Sequence, residues 1–190
     1  MKRRSSLKSS SVTDGFTLIE VLVTVILIGI LFAIAAPNWV AFINQQRVGS
    51  ARNQVSQALR SAQSEAQRTK VSRAVVFDTS SNPPRYAIVA APNNTVDRST
   101  INNWQTLGDG TIQSGTIRLS VNQGTVNDPP SLVFDSYGAV LTTTQIPYTV
   151  TIGSTLSRNP RRCVAVESLL GAIREASDGT LPDGCPDSRS

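Results

Sequence analysis

Few residues in this chain could do chemistry, and their arrangement excludes most kinds. The sequence contains no histidine, which removes Ser-His-Asp and Cys-His nucleophilic centres, His-ligated zinc and a His general base. Its two cysteines, Cys163 and Cys185, are too few and too far apart for a Cys-rich metal site. No Walker loop, no GxGxxG and no GxSxG occurs. Asp178, Asp183 and Asp187 could offer oxygen ligands to calcium, but their spacing is not that of an EF-hand, and a solvated turn is expected there. No metal, no cofactor and no catalytic residue is expected, and the chain reads as a non-enzyme.

The carboxylate that does stand out is Glu20. It lies in the run Phe16 to Ala36, FTLIEVLVTVILIGILFAIAA, 21 residues with one charge. As a helix this run is roughly 31 Å long, the thickness of a bilayer's hydrocarbon core. A buried core helix would be shorter and less uniformly apolar. A cleaved secretory signal, with Ala33, Ala35 and Ala36 as its small residues, would have a shorter apolar region. A membrane-spanning helix fits best. An ionised acid at mid-bilayer costs about 3 kcal/mol, less near an end, so Glu20 needs a partner. A free α-amino group at Phe16, exposed by a cut after Gly15, would serve. The other reading is an interfacial acid that reaches water or is favoured by the helix N-terminus.

The elements that must position these residues divide the chain unevenly. Residues 1–15 carry Lys2, Arg3, Arg4 and Lys8 against Asp14, so +3 of the net +5 lies there. By the positive-inside rule this segment stays cytoplasmic and the bulk of the chain lies beyond the membrane, where disulfides persist. Pro37 is expected to bend or unwind the helix after the span. The stretch 37–71 then reads as an amphipathic stalk. Val48, Ala51, Val55, Ala58, Leu59, Ala62 and Ala66 form an apolar stripe, and Asn53, Gln54, Gln57, Arg60, Gln63 and Arg68 a polar face.

Residues 72–176 read as a β-rich head. Ala74 to Phe77, Tyr86 to Val89, Ile117 to Val121, Ser131 to Phe134, Tyr148 to Ile152 and Arg162 to Val166 have strand character, separated by Gly, Asn and Pro clusters. With no long helices between them, the sheet should be mainly antiparallel. Ala91 to Gly115 reads as a long loop holding Trp104. The expected fold class is therefore α+β, with a turn-rich acidic tail over 177–190. A bridge between Cys163 and Cys185 would tie that tail to the last strand, two independent thiols being the alternative. Arg158, Arg161, Arg162 and Arg174, against Glu167 and Glu175, are candidate DNA contacts, with a solvated strand edge as the favoured reading.

A basic leader ending in Gly15, then Phe16-Thr17-Leu18-Ile19-Glu20 and an apolar helix, resembles the class III leader of type IV pilins and type II secretion pseudopilins. The resemblance implies cleavage after Gly15 by a prepilin peptidase, methylation of the new N-terminus at Phe16, and pairing of Glu20 with a neighbouring subunit's α-amine. It also implies other pilin subunits, an inner-membrane assembly platform and membrane lipid as partners. Within the superfamily the chain is similar to the H-type minor pseudopilins and FimT-type minor pilins. Leu59 to Arg68, Leu132 to Gly138, and Arg162 to Val166 followed by Gly171 to Arg174 carry that similarity. Some FimT-type pilins bind DNA through Gly-Arg-x-Arg in this hairpin. Here only Gly171 and Arg174 match, Ala172 standing at the second position, which counts against DNA uptake. The expectation is a minor structural subunit, acting near a filament tip, of a type II secretion pseudopilus or type IV pilus. A DNA-binding pilin and a major pilin are the alternatives.

Overall fold

The computed structural model describes residues 15–108, 110, 112–123, 130–141, 144–156, 161–177 and 185, with backbone alone at 35–38 and 100. The chain forms two units, residues 1–41 and 42–190. A 52-residue helix, α1 (Leu18–Thr69), runs through the first unit and supplies the spine of the second. Helical backbone continues through Pro37, where the helix bends rather than unwinds. Among the described residues no single helix is long and apolar enough to cross a membrane. Leu18–Ile34 and Trp39–Thr69, taken together across the break at 35–38, pass that test by length and composition.

Within the second unit the apolar stripe of α1 is the core's central rib. Val48, Ala51, Val55, Leu59, Ala62 and Ala66 are fully buried, and Ala58 nearly so. Four of these seven are alanines, whose small side chains allow strands to approach the helix closely. α1 ends where Lys70 takes a left-handed conformation, φ 57°, a common way to stop a helix.

Among the described residues eight strands follow: β1 (Arg73–Asp78), β2 (Arg85–Ala90), β3 (Gln105–Thr106), β4 (Ile117–Val121), β5 (Ser131–Phe134), β6 (Tyr148–Ser154), β7 (Arg161–Val166) and β8 (Ile173–Ser177). They make two antiparallel sheets rather than one, ordered β3-β2-β1-β5 and β4-β6-β7-β8. Period-two alternation explains the packing. Val75, Phe77, Leu132 and Phe134 of the first sheet and Leu119, Val150, Ile152, Val164 and Val166 of the second share one core with the α1 stripe. On the first sheet's other face Ala74 and Val133 form a small cluster with Ala91, joined by Val89, Val96 and Leu141.

Two departures from the sequence reading concern short-range signals. The expected loop from Ala91 to Gly115 contains β3 and two single-turn 3₁₀ segments, Pro92–Asn94 and Arg98–Thr100. Trp104 there packs its ring 4.9 Å from the Arg85 guanidinium carbon. The closing hairpin extends to a full strand, β8, through Ser177. A two-residue strand and a strand reading Ile-Arg-Glu-Ala-Ser have too little alternation to be seen without the neighbours that pair them.

Candidate functional site

The first unit presents its chemistry at the start of α1. Thr17 caps the helix: its main-chain carbonyl accepts from Glu20 N–H at 3.1 Å and Val21 N–H at 3.2 Å, and its Oγ1 accepts from Glu20 N–H at 3.3 Å. Thr17-Leu18-Ile19-Glu20 has the Thr-x-x-Glu order of a capping box, and an acid in the first turn suits the positive end of the helix dipole. Among the described residues no cation pairs with Glu20. Gly15 and Phe16 lie outside the helix. A side chain at Gly15 would meet nothing within 4 Å, so packing in this chain does not require glycine there.

From Phe16, 83 % exposed, to Ile34 the large apolar side chains are exposed on every side of the helix. The Thr24 hydroxyl donates to the Val21 carbonyl at 2.8 Å. A helix apolar all round finds its partners in lipid or in other helices.

In the head the three motif-bearing stretches converge. The Gln63 carboxamide donates to the carbonyls of Gly138, Leu170 and Gly171 at 2.9, 3.4 and 3.3 Å. Gln67 donates to Tyr137 O at 3.0 Å. Gly138 and Gly171 both have positive φ, 81° and 78°, and a Cβ on either would overlap the carboxamide of Gln67 or Gln63 respectively. Gln54 similarly accepts from Gly108 N–H at 2.6 Å. The sequence places Gln54 and Gln63 on the polar face of α1. They flank the stripe and hold turns of both sheets against α1. Ser56 and Arg52 engage Glu175 of β8 at 2.6 and 3.3 Å in the same way.

Cys163 of β7 and Cys185 form a disulfide with Cα atoms 5.8 Å apart, packed with Ala176. The candidate DNA contacts are not gathered. Arg161 and Arg162 sit on β7, which lies between β6 and β8, so they are not on a sheet edge. Arg162 approaches Gly49 of α1, on the core-facing side of the sheet. Arg174 falls on the opposite face, opposite Ala165 of β7, and pairs with Glu167 at 3.1 Å. Arg158, the leader residues through Asp14, and Asp178, Asp183 and Asp187 lie outside the described residues.

Residues 13–36 match the prokaryotic N-terminal methylation motif. The type IV minor pilin FimU of Pseudomonas aeruginosa PAO1 is similar in two crystal forms. One superposes with TM-score 0.55 at 15 % identity, covering 76 % of this chain and 99 % of FimU. The other gives 0.50 at 16 %, covering 73 % and 99 %. The minor pseudopilin EpsH from the Vibrio cholerae type 2 secretion system gives 0.49 at 18 %, covering 70 % and 98 %. No curated protein sequence matches significantly. The chain has the pilin fold, a long N-terminal helix followed by antiparallel sheets. The chain thus joins a prokaryotic N-terminal methylation motif to the fold seen in the type IV minor pilin FimU.

Proposed function

We propose that this chain is a minor, non-enzymatic structural subunit of a type II secretion pseudopilus or type IV pilus, working near the filament tip. It is made as a single-span inner-membrane precursor with its N-terminus cytoplasmic and its head periplasmic. A prepilin peptidase cuts between Gly15 and Phe16, and Phe16 is methylated. An assembly platform then moves the subunit from lipid into the filament, where its apolar helix packs against those of other subunits.

The observation that carries this reading is the methylation motif over 13–36 on a helix whose apolar side chains are exposed all round. Burying a large apolar side chain is worth about 1.5–3 kcal/mol, so a lipid or helix environment for this run is strongly favoured over water. Glu20 supplies what lipid alone would not: a carboxylate that gains a partner when a neighbour's α-amine arrives, setting the axial register of insertion.

The test is expression beside a prepilin peptidase, followed by intact mass and recovery of sheared filaments. The expected product lacks residues 1–15, carries one added methyl group, and appears in filaments at a small fraction of the main subunit. An uncut chain in the presence of active peptidase refutes the reading. Equal abundance with the main subunit removes the minor role alone.

A further inference from the structure

The near end of the apolar helix is marked by charge and its far end is not. After Glu20 the next charged residue is Arg47, so residues 21–46 carry none. A hydrocarbon core of about 30 Å takes roughly 20 helical residues. It ends near Ala36 if it begins at Phe16, and near Ala41 if it begins after Glu20. Trp39 falls inside that interval and is the one tryptophan of the first unit. It follows directly on Asn38, the first amide side chain after Phe16. The ring is 66 % exposed on helical backbone, as exposed as the apolar side chains of the run it follows. Indole joins a large apolar face to a single N–H donor, which suits the layer where hydrocarbon meets headgroups better than either bulk phase.

We propose that Trp39 anchors the far end of the span in the interfacial layer of the lipid bilayer and so fixes how deep the helix sits. The proposal rests on the membrane-anchored reading above. Leu18 and Trp39 are 21 positions apart, about 32 Å of helix. The bend between Ile34 and Trp39, 42°, shortens this by about 2 Å. The result matches a hydrocarbon core of about 30 Å. With Trp39 at one surface Leu18 stands at the other, Glu20 lies about 3 Å inside, and Phe16 lies just outside. The bond between Gly15 and Phe16 is then held where water and a peptidase reach it. Lys2, Arg3, Arg4 and Lys8 hold the near end by charge, and Trp39 holds the far end by its amphipathic ring.

The test uses the full chain in phosphatidylcholine vesicles whose acyl chains carry a photoactivatable group, with adducts mapped by peptide mass. In the native chain adducts are expected within residues 18–36 and absent beyond Trp39. Trp39→Leu removes the polar edge from the otherwise apolar stretch 39–43, and adducts should then extend through it. Trp39→Tyr, which keeps an amphipathic ring, should restore the native limit. Loss of all adducts overturns the membrane reading and the anchor together. Adducts through residue 43 in the native chain, or one limit shared by the native chain and Trp39→Leu, overturn the anchor alone. A second measurement reads the indole itself. Trp104→Phe leaves Trp39 as the one tryptophan. Bromines near the headgroup end of the acyl chains should quench its fluorescence more than bromines near the chain ends, with a blue-shifted emission. Stronger quenching by the deep bromines overturns the anchor by placing Trp39 in the core. No quenching while the adducts persist overturns it by placing Trp39 in water or against protein. Retention of the disulfide shows that each variant keeps the head folded.

Discussion

The carboxamide of Gln63 on α1 donates to the main-chain carbonyl of Gly138, seventy-five residues away, at 2.9 Å. Through its further bonds to Leu170 and Gly171 the same side chain fastens the turn after β5 and the hairpin between β7 and β8. One glutamine thus joins the helix to both sheets. We expect Gln63→Leu to cost about 1 kcal/mol, the penalty for leaving the part-buried carbonyls of Gly138 and Gly171 unpaired. Denaturant melts of the full chain in detergent measure it.

Gly138→Ala should be more damaging than its size suggests, because it combines positive φ with overlap against Gln67. Adding Gln67→Ala relieves the overlap and leaves the φ penalty, so the double variant should recover part of the loss and not all. Full recovery would show that backbone conformation at Gly138 is immaterial.

Removing the bridge by Cys163→Ser with Cys185→Ser should destabilise the head by about 3 kcal/mol on the chain-entropy account. Thiol titration of unreduced, denatured protein should find no free thiol. Any stoichiometric titration contradicts the Cys163–Cys185 bond.

Tyr148 is fully buried and its hydroxyl has no hydrogen-bond partner. Burial pushes its phenol far above the usual range, so Tyr148 should remain un-ionised through any alkaline titration that leaves the fold intact. Tyr148→Phe removes a buried unsatisfied group and should raise stability by about 1 kcal/mol. A clear loss of stability instead would mean that the hydroxyl is satisfied in solution.

Asp78 gives the fold an acid limit. Burial acts to raise its pKa. The hydrogen bonds from the Ser80 hydroxyl, from Arg85 and from the N–H groups of Ser80 and Ser81 outweigh this and hold it below the usual carboxylate value. A depressed folded-state pKa contributes stability that is complete above the unfolded-state value of about 3.9 and is lost as pH falls through the folded-state value. Asp78→Asn should therefore lower stability at neutral pH and flatten its decline below about pH 4. Melting temperatures across pH, compared between the two proteins, measure the difference.

Glu20→Ala should leave cleavage after Gly15 intact and reduce incorporation into filaments. Normal incorporation would remove the proposed pairing of this carboxylate with a neighbour's α-amine.

The parts of the fold that follow from periodicity were legible in the sequence. The stripe from Val48 to Ala66 is buried residue by residue, and Ile117–Val121 and Ser131–Phe134 coincide with the strands read from their alternation. Division into two sheets was not legible, because strand character says nothing about which strands pair. Gln54, Gln63 and Gln67 were hidden for another reason. A carboxamide beside an apolar stripe looks the same whether it meets water or a carbonyl, and only the glycine turns opposite decide it. The arginines near β7 misled in the same way, since residues adjacent in sequence on a strand point to opposite faces. Gly15, Phe16 and Glu20 stood out because their spacing is linear and needs no tertiary context.

Because Thr17 is the cap, the peptide bond between Gly15 and Phe16 lies outside the hydrogen-bonded helix. No hydrogen bond among the described residues engages either residue, and the first helical bonds close on the Thr17 carbonyl. Scission at that bond would break no hydrogen bond among the described residues. The Thr17 cap and the first turn of α1 would stay as they are, and the cut would change only which residue stands before them.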